Sequence, residues 1–112
     1  MTVGTPVDER RGLQRYPLRV PISVFNPGTR ERANTETRDV HVRGIYIHDL
    51  PLGTQAGAEV FVTFLGAPSQ LPCKGTVQHV AETGAGIAFH SVPSPSKRFI
   101  KSLTTLEQNL DG

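Results

Sequence analysis

Apolar residues recur at every second position through most of this chain, and the interruptions mark its turns. In LRVPISVFN (18–26), Val20, Ile22 and Val24 alternate with Arg19, Pro21 and Ser23, the period of a half-buried strand. Pro21 has no amide hydrogen, which suggests an edge or bulge position there. NPG at 26–28 is a turn signal. RANTETRDVHV (32–42) continues as a mostly polar strand, low in apolar content until Val40 and Val42. Its last part, with Arg43 and Gly44, reads DVHVRG: the valines form one buried face, and Asp39, His41 and Arg43 share the other if the strand is regular. That other face is either a solvated exterior or a site that grips something charged. GIYIHD (44–49) sets Ile45 and Ile47 on one side and Tyr46 and His48 on the other.

LPLGTQAG (50–57) is a loop. AEVFVTFLG (58–66) is the strongest strand, with Val60, Val62 and Phe64 alternating with Phe61, Thr63 and Leu65. Both faces are apolar, which predicts burial on both sides or cover by a helix. After the GAPSQ turn, LPCKGTVQHV (71–80) is another strand, in which Gly75 marks a bulge or bend. AETGAG turns the chain, and IAFH (87–90) gives a short final strand. Then the period changes. In SPSKRFIKSLTTLEQNL (94–110), Phe99, Ile100, Leu103, Leu106 and Leu110 form one helical stripe. Ser94 suits the cap and Pro95 the first helical position. About six evenly spaced strands and a terminal helix predict a small barrel or sandwich, with the helix over an open end or across the barrel.

Length keeps this to one domain: 112 residues can bury about two thirds of their unfolded surface around a single core. Residues 1–17, with Gly4, Pro6, Gly12 and Pro17 and few apolar groups, read as a flexible N-terminal arm, and 18–112 as the domain. No stretch approaches the ~20 apolar residues of a membrane span, and the start lacks the apolar segment of a signal peptide. With a single cysteine, Cys73, no internal disulfide forms, in keeping with a reducing compartment. The chain reads as cytoplasmic, with no membrane insertion.

Net charge is only +2, which argues against general nucleic-acid binding. Distribution matters more: Arg10, Arg11, Arg15 and Arg19 fall within ten residues. They are either a solvated basic tail or a set of planar donors matched to phosphate and guanine edges. Catalysis finds no support. His41, His48, His79 and His90 stand apart on separate strands without metal-ligand spacing. Cys73 reads as a small core residue. No glycine-rich loop opens a helix and no serine elbow is present, so the chain is not expected to be an enzyme and no cofactor is implied. Binding is better supported. Arg11 and Arg15 can each grip a phosphate bidentately or meet the O6/N7 edge of guanine. Asp39, an acceptor only at neutral pH, complements the two donors of guanine's pairing edge. A glycine such as Gly44 permits close backbone approach.

Taken together, ERRGLQRYPLRVPISV, with Arg11 and Arg15 as an R-x-x-x-R pair just before the first strand, and DVHVRGIYI, with Asp39 and Gly44 at the ends of a [DN]-x-S-x-x-G pattern, resemble the PilZ domain family. The likeness runs from about residue 9 to the end of the helix, including the glycine before the last strand. It implies an all-β fold, a six-stranded antiparallel β-barrel with a C-terminal α-helix, and a ligand, cyclic di-GMP, bound singly or as an intercalated dimer. It also implies an effector protein to which the ligand's level is transmitted. On this resemblance Arg11 and Arg15 clamp phosphate and guanine edges, and Arg10 adds a phosphate contact. Asp39 accepts from guanine N1–H and N2–H, and Gly44 lets the strand approach the ligand. Arg43 either helps hold the ligand or pairs with Asp39. One position departs: His41 stands where the family has serine. Its imidazole is larger, and either clashes with the ligand or stacks on a base. A second reading therefore stays open, a degenerate domain acting as a nucleotide-independent protein adaptor.

Overall fold

The computed structural model describes residues 18–111, with side chains described as far as Thr104. The arm predicted over 1–17, and with it Arg10, Arg11 and Arg15, lies outside the described residues. The described chain runs β1 (Pro21–Asn26), β2 (Glu31–His41), β3 (Gly44–Ile47), β4 (Glu59–Phe64), β5 (Cys73–Ala81), β6 (Gly84–Ser91) and α1 (Ser94–Asp111). The strands close into an antiparallel barrel in the order β1-β2-β3-β6-β5-β4, with β4 returning to β1. Closure removes the sheet edges that would otherwise invite pairing with other chains.

The period of two sorts the side chains as expected. Ile22, Val24, Val40, Ile45, Ile47, Val60, Val62, Phe64, Val77 and Ile87 point inward and are buried. The helix seals the barrel: Ile100 is buried in its core, and the Phe99 ring lies 5.7 Å from that of Phe64. The Ser96 hydroxyl donates to the Leu71 carbonyl at 3.2 Å, tying the first helical turn to the β4–β5 loop. The helix takes in Ser94 itself, because Lys97 N–H donates to the Pro93 carbonyl at 2.9 Å.

Three local expectations change. Pro21 is at neither an edge nor a bulge. It opens β1, opposite Glu36, and the first residue of a strand is a position that spares the ladder a donor. In β4 the outer face is not covered by the helix. Phe61 is half-buried, with the Lys74 ammonium 5.9 Å from its ring, and Leu65 beyond the strand end stays 39% exposed. The stem of a cross-strand lysine does part of the covering that a helix was expected to do. Third, β2 ends at His41, so DVHVRG is not one strand: Val42 and Arg43 form the turn into β3, with His41 paired to Gly44. Gly75 does mark an irregularity, since the β5–β6 register shifts between Lys74 and Gly75. A side-chain carbon there would come within 2.7 Å of Ile87 and 2.9 Å of the Ala88 carbonyl.

Candidate functional site

Two bulges shape the outer wall of the barrel where β2, β3, β6 and β5 lie side by side. In β2 the register against β3 slips between Thr37 and Asp39. Thr37 and Val40 are both buried although three residues apart, so the bulge turns two consecutive residues, Arg38 and Asp39, away from the core. In β5 the register against β6 slips between Val77 and His79, and here Gln78 and His79 are both exposed. A bulge re-aims side chains that a regular strand would send inward. These two do so on either side of the same β3–β6 pair.

The pairing between them builds one row across four strands: Asp39 opposite Tyr46, Tyr46 opposite Gly86, and Gly86 opposite His79. Gly86 has no side chain to fill the middle of the row. The rings of Tyr46 and His79 stand over it with centroids 6.4 Å apart and a 36° tilt. The Arg38 guanidinium lies 5.5 Å from the Tyr46 ring, a cation–π contact, and donates to the Thr83 carbonyl at 3.2 Å. The neighbouring row sets Gly44 opposite Ala88. Small residues in β6 between larger ones in β3 and β5 leave a concavity of about 440 Å³, open to solvent, whose rim includes His41, Arg43 and Gln78.

His41, Arg43 and Gly44 thus meet at one concave surface, but not through a shared strand face. Arg43 does not share a strand face with Asp39 and His41, since it sits in the turn. His41 is fitted into that turn: its Nδ1 accepts the Arg43 backbone N–H at 3.0 Å. An acceptor at Nδ1 puts the proton of the neutral ring on Nε2. Asp39 lies on β2 in the row that crosses the floor, beside the rim rather than on it. The case for Gly44 also changes. A Cβ there would come within 2.5 Å of the Ile87 carbonyl, so the close packing of β3 on β6 already requires glycine, whatever the site binds. Tyr46 and His79 were not singled out from the sequence as site residues, and Gly86 only as the glycine before the last strand. The signal for Tyr46 was present, in its alternation with Ile45 and Ile47. For His79 no local signal exists, because its place depends on the β5 bulge.

Other reactive groups do not gather here. Among the described residues no three His, Cys, Asp or Glu side chains are grouped to hold a metal. Burial pushes the Cys73 thiol above its ordinary pKa, with a hydrogen bond to Ser96 acting in the opposite sense. The thiolate needed for nucleophilic chemistry is therefore disfavoured. His90 pairs with Glu59 at 3.3 Å, away from the concavity. Among the described residues no helix is long and apolar enough to cross a membrane.

Before β1, the chain is fastened beside the β2 bulge. Thr37 N–H donates to the Val20 carbonyl at 3.0 Å, and the Thr37 hydroxyl bonds both Val20 and Leu18. Pro21 lies opposite Glu36 in an antiparallel pair. Followed backward from Pro21, the chain therefore advances along β2 in the direction of Asp39.

Comparison with known proteins gives a consistent result. A sequence model of the PilZ domain matches residues 9–106. Among solved structures, the crystal structure of the PilZ domain of CeSA, from a cellulose-synthesizing bacterium, superposes with a TM-score of 0.67 at 13% identity. The match covers 82% of this chain and 99% of that one. No curated protein matches the chain.

Proposed function

The chain belongs to the PilZ domain family, and from that premise we propose that it is a cytoplasmic receptor for cyclic di-GMP that passes the ligand's level to a protein partner. The observation that carries this reading is the row from Asp39 across Tyr46 and Gly86 to His79. It joins a carboxylate, an aromatic face and an open floor, which are the complements of a guanine's donor edge and its flat surface. Asp39 accepts from N1–H and N2–H of guanine, the base that carries both donors on its pairing edge. Tyr46 offers a stacking face of the kind that contributes about 1–3 kcal/mol per base. Nε2–H of His41 donates to a purine or phosphate acceptor. Arg43, on the rim, faces the ligand's phosphates, and Arg10, Arg11 and Arg15 close over it from the segment before Leu18.

Ordering that segment costs roughly 1–2 kcal/mol per residue fixed. Hydrogen bonds to charged groups return about 1.5–3 kcal/mol each, so binding depends on several arginine contacts forming together. Calorimetric titration of cyclic di-GMP tests this. The wild type should release heat with saturable stoichiometry, and Arg11→Ala and Asp39→Ala should each weaken affinity at least tenfold, the loss of about 1.4 kcal/mol. Absence of heat from the wild type at high micromolar ligand rules the receptor reading out.

One feature favours the adaptor reading instead, the imidazole of His41 held in the β2–β3 turn by Arg43. His41→Ser separates the two readings in the same titration. A receptor that uses the Nε2 donor binds equally or less well after the change. Binding that appears only with serine marks the native chain as a nucleotide-independent adaptor.

A further inference from the structure

We propose that the outer wall of β1 and β4 is a docking surface for an acidic segment of a partner protein, one that carries two carboxylates with an apolar side chain between them. This rests on the protein partner in the reading above, and not on nucleotide binding. The register sets one row across four strands of this wall: Arg32 of β2 opposite Phe25 of β1, Phe25 opposite Phe61 of β4, and Phe61 opposite Lys74 of β5. Two aromatic residues are thus neighbours, with a cation at each end. Both aromatic residues are half-buried and both cations are exposed. The Arg32 guanidinium stands 5.0 Å from the Phe25 ring and the Lys74 ammonium 5.9 Å from the Phe61 ring. Arg32 is fixed further by its Nη1, which donates to the Ser23 hydroxyl at 2.7 Å. Past Ser23 and Thr63, paired in the next row but one, the apolar surface resumes at exposed Leu65, whose N–H donates to the Pro21 carbonyl at 3.1 Å.

As covers for the rings, the two side chains need only their stems. Their charge stays unanswered, since neither forms an ion pair among the described residues. Glu59, two residues before Phe61, is paired with His90 at 3.3 Å. Spacing then selects the partner. Neighbouring strands lie about 4.8 Å apart, so the two cations are rooted about 14 Å from each other. An extended chain covers about 13 Å in four residues and turns alternate side chains to one face. A segment lying across the strands therefore sets one carboxylate over Arg32, another over Lys74, and the side chain midway between them on Phe25 and Phe61. A carboxylate also matches the fork of the guanidinium. Single-stranded nucleic acid, which joins anions to flat bases, fits this wall less well. The cations already lie over the rings on which bases would stack, and Glu36 and Glu59 at the two ends of the wall repel a continuous phosphate chain.

The probe is the peptide acetyl-Gly-Asp-Thr-Phe-Thr-Asp-Gly-amide, added without nucleotide and at low salt to the isotope-labelled full chain. Saturable amide shifts should centre on Phe25, Phe61, Thr63 and Lys74. Exchanging both aspartates of the peptide for lysine should weaken binding about tenfold, and Arg32→Glu or Lys74→Glu in the protein about fivefold each. The protein with both charge reversals should prefer the lysine peptide. Equal affinity of the wild type for the two peptides overturns the proposal, and so does an absence of shifts on this wall. Tighter binding of an oligothymidylate than of the acidic peptide overturns it in favour of nucleic acid. The comparison of peptides uses the wild type, so it decides the matter even if a charge variant does not fold. The partner reading fails separately: a wild-type chain that crosslinks to no protein in its native cells removes that reading and this surface with it, whereas crosslinks formed only from other faces of the barrel keep the partner and overturn the surface.

Discussion

Phe64→Ala should lower the unfolding free energy by about 3–5 kcal/mol, the range for removing a buried aromatic ring. Phe64 is the last inward residue of β4 and 1% exposed. Its ring meets Phe89 of β6 edge-on at 6.4 Å and Phe99 of α1 at 5.7 Å, so it joins the helix to the barrel as well as filling the core. The alanine would leave a void in the cluster that Phe64 shares with Ile100 of the helix. Urea denaturation followed by circular dichroism reads the loss. Phe61→Ala is the matched control: its ring is half-buried on the outer wall beneath Lys74, and the same truncation should cost less than half as much. Equal costs at the two positions would contradict the assignment of inner and outer faces.

Gly44→Ala and Gly86→Ala should separate stability from binding. At Gly44 the added methyl meets the Ile87 carbonyl at 2.5 Å and Ala88 Cα at 3.4 Å. Both belong to the backbone of a paired strand, so neither can turn aside. β3 must move off β6, and overpacking of this kind costs about 1–3 kcal/mol. At Gly86 the nearest atoms are on the Tyr46 ring, at 3.6 and 3.9 Å, which is ordinary contact. Gly86→Ala should change stability by less than about 0.5 kcal/mol, as an outer-face substitution does, yet raise the floor between Tyr46 and His79 and weaken cyclic di-GMP binding at least tenfold. Thermal melts and calorimetry on the two variants give the comparison. An unaffected affinity in Gly86→Ala would move the ligand off this floor.

The glycines show how far a sequence can be read. Gly44 was legible as a motif residue, but its reason was not, because the Ile87 carbonyl that demands it is more than forty residues away in the chain. Alternation gave the inward valines and isoleucines of every strand, since burial on one face imposes a period of two wherever the strand is regular. It failed at Arg38–Asp39 and Gln78–His79, where bulges without a marking glycine put neighbours on the same side. Those irregularities build the candidate site. The helix was legible from its stripe and the β4 cover was not, because a lysine stem from the adjacent strand stands in for apolar packing. The half of the site contributed by β5 and β6 depends on which strands become neighbours, and strand order is not written in any local pattern.

If the protein is a cyclic di-GMP receptor, the outer wall between the two bulges receives the nucleotide. Amide chemical-shift mapping of the labelled protein during addition of cyclic di-GMP tests it most directly. The largest changes are expected at Asp39, Arg43, Gly44, Tyr46, His79 and Gly86, with Phe25 and Phe61 on the opposite wall unmoved. Changes centred on Phe25 and Phe61, or none anywhere at saturating ligand, would contradict it.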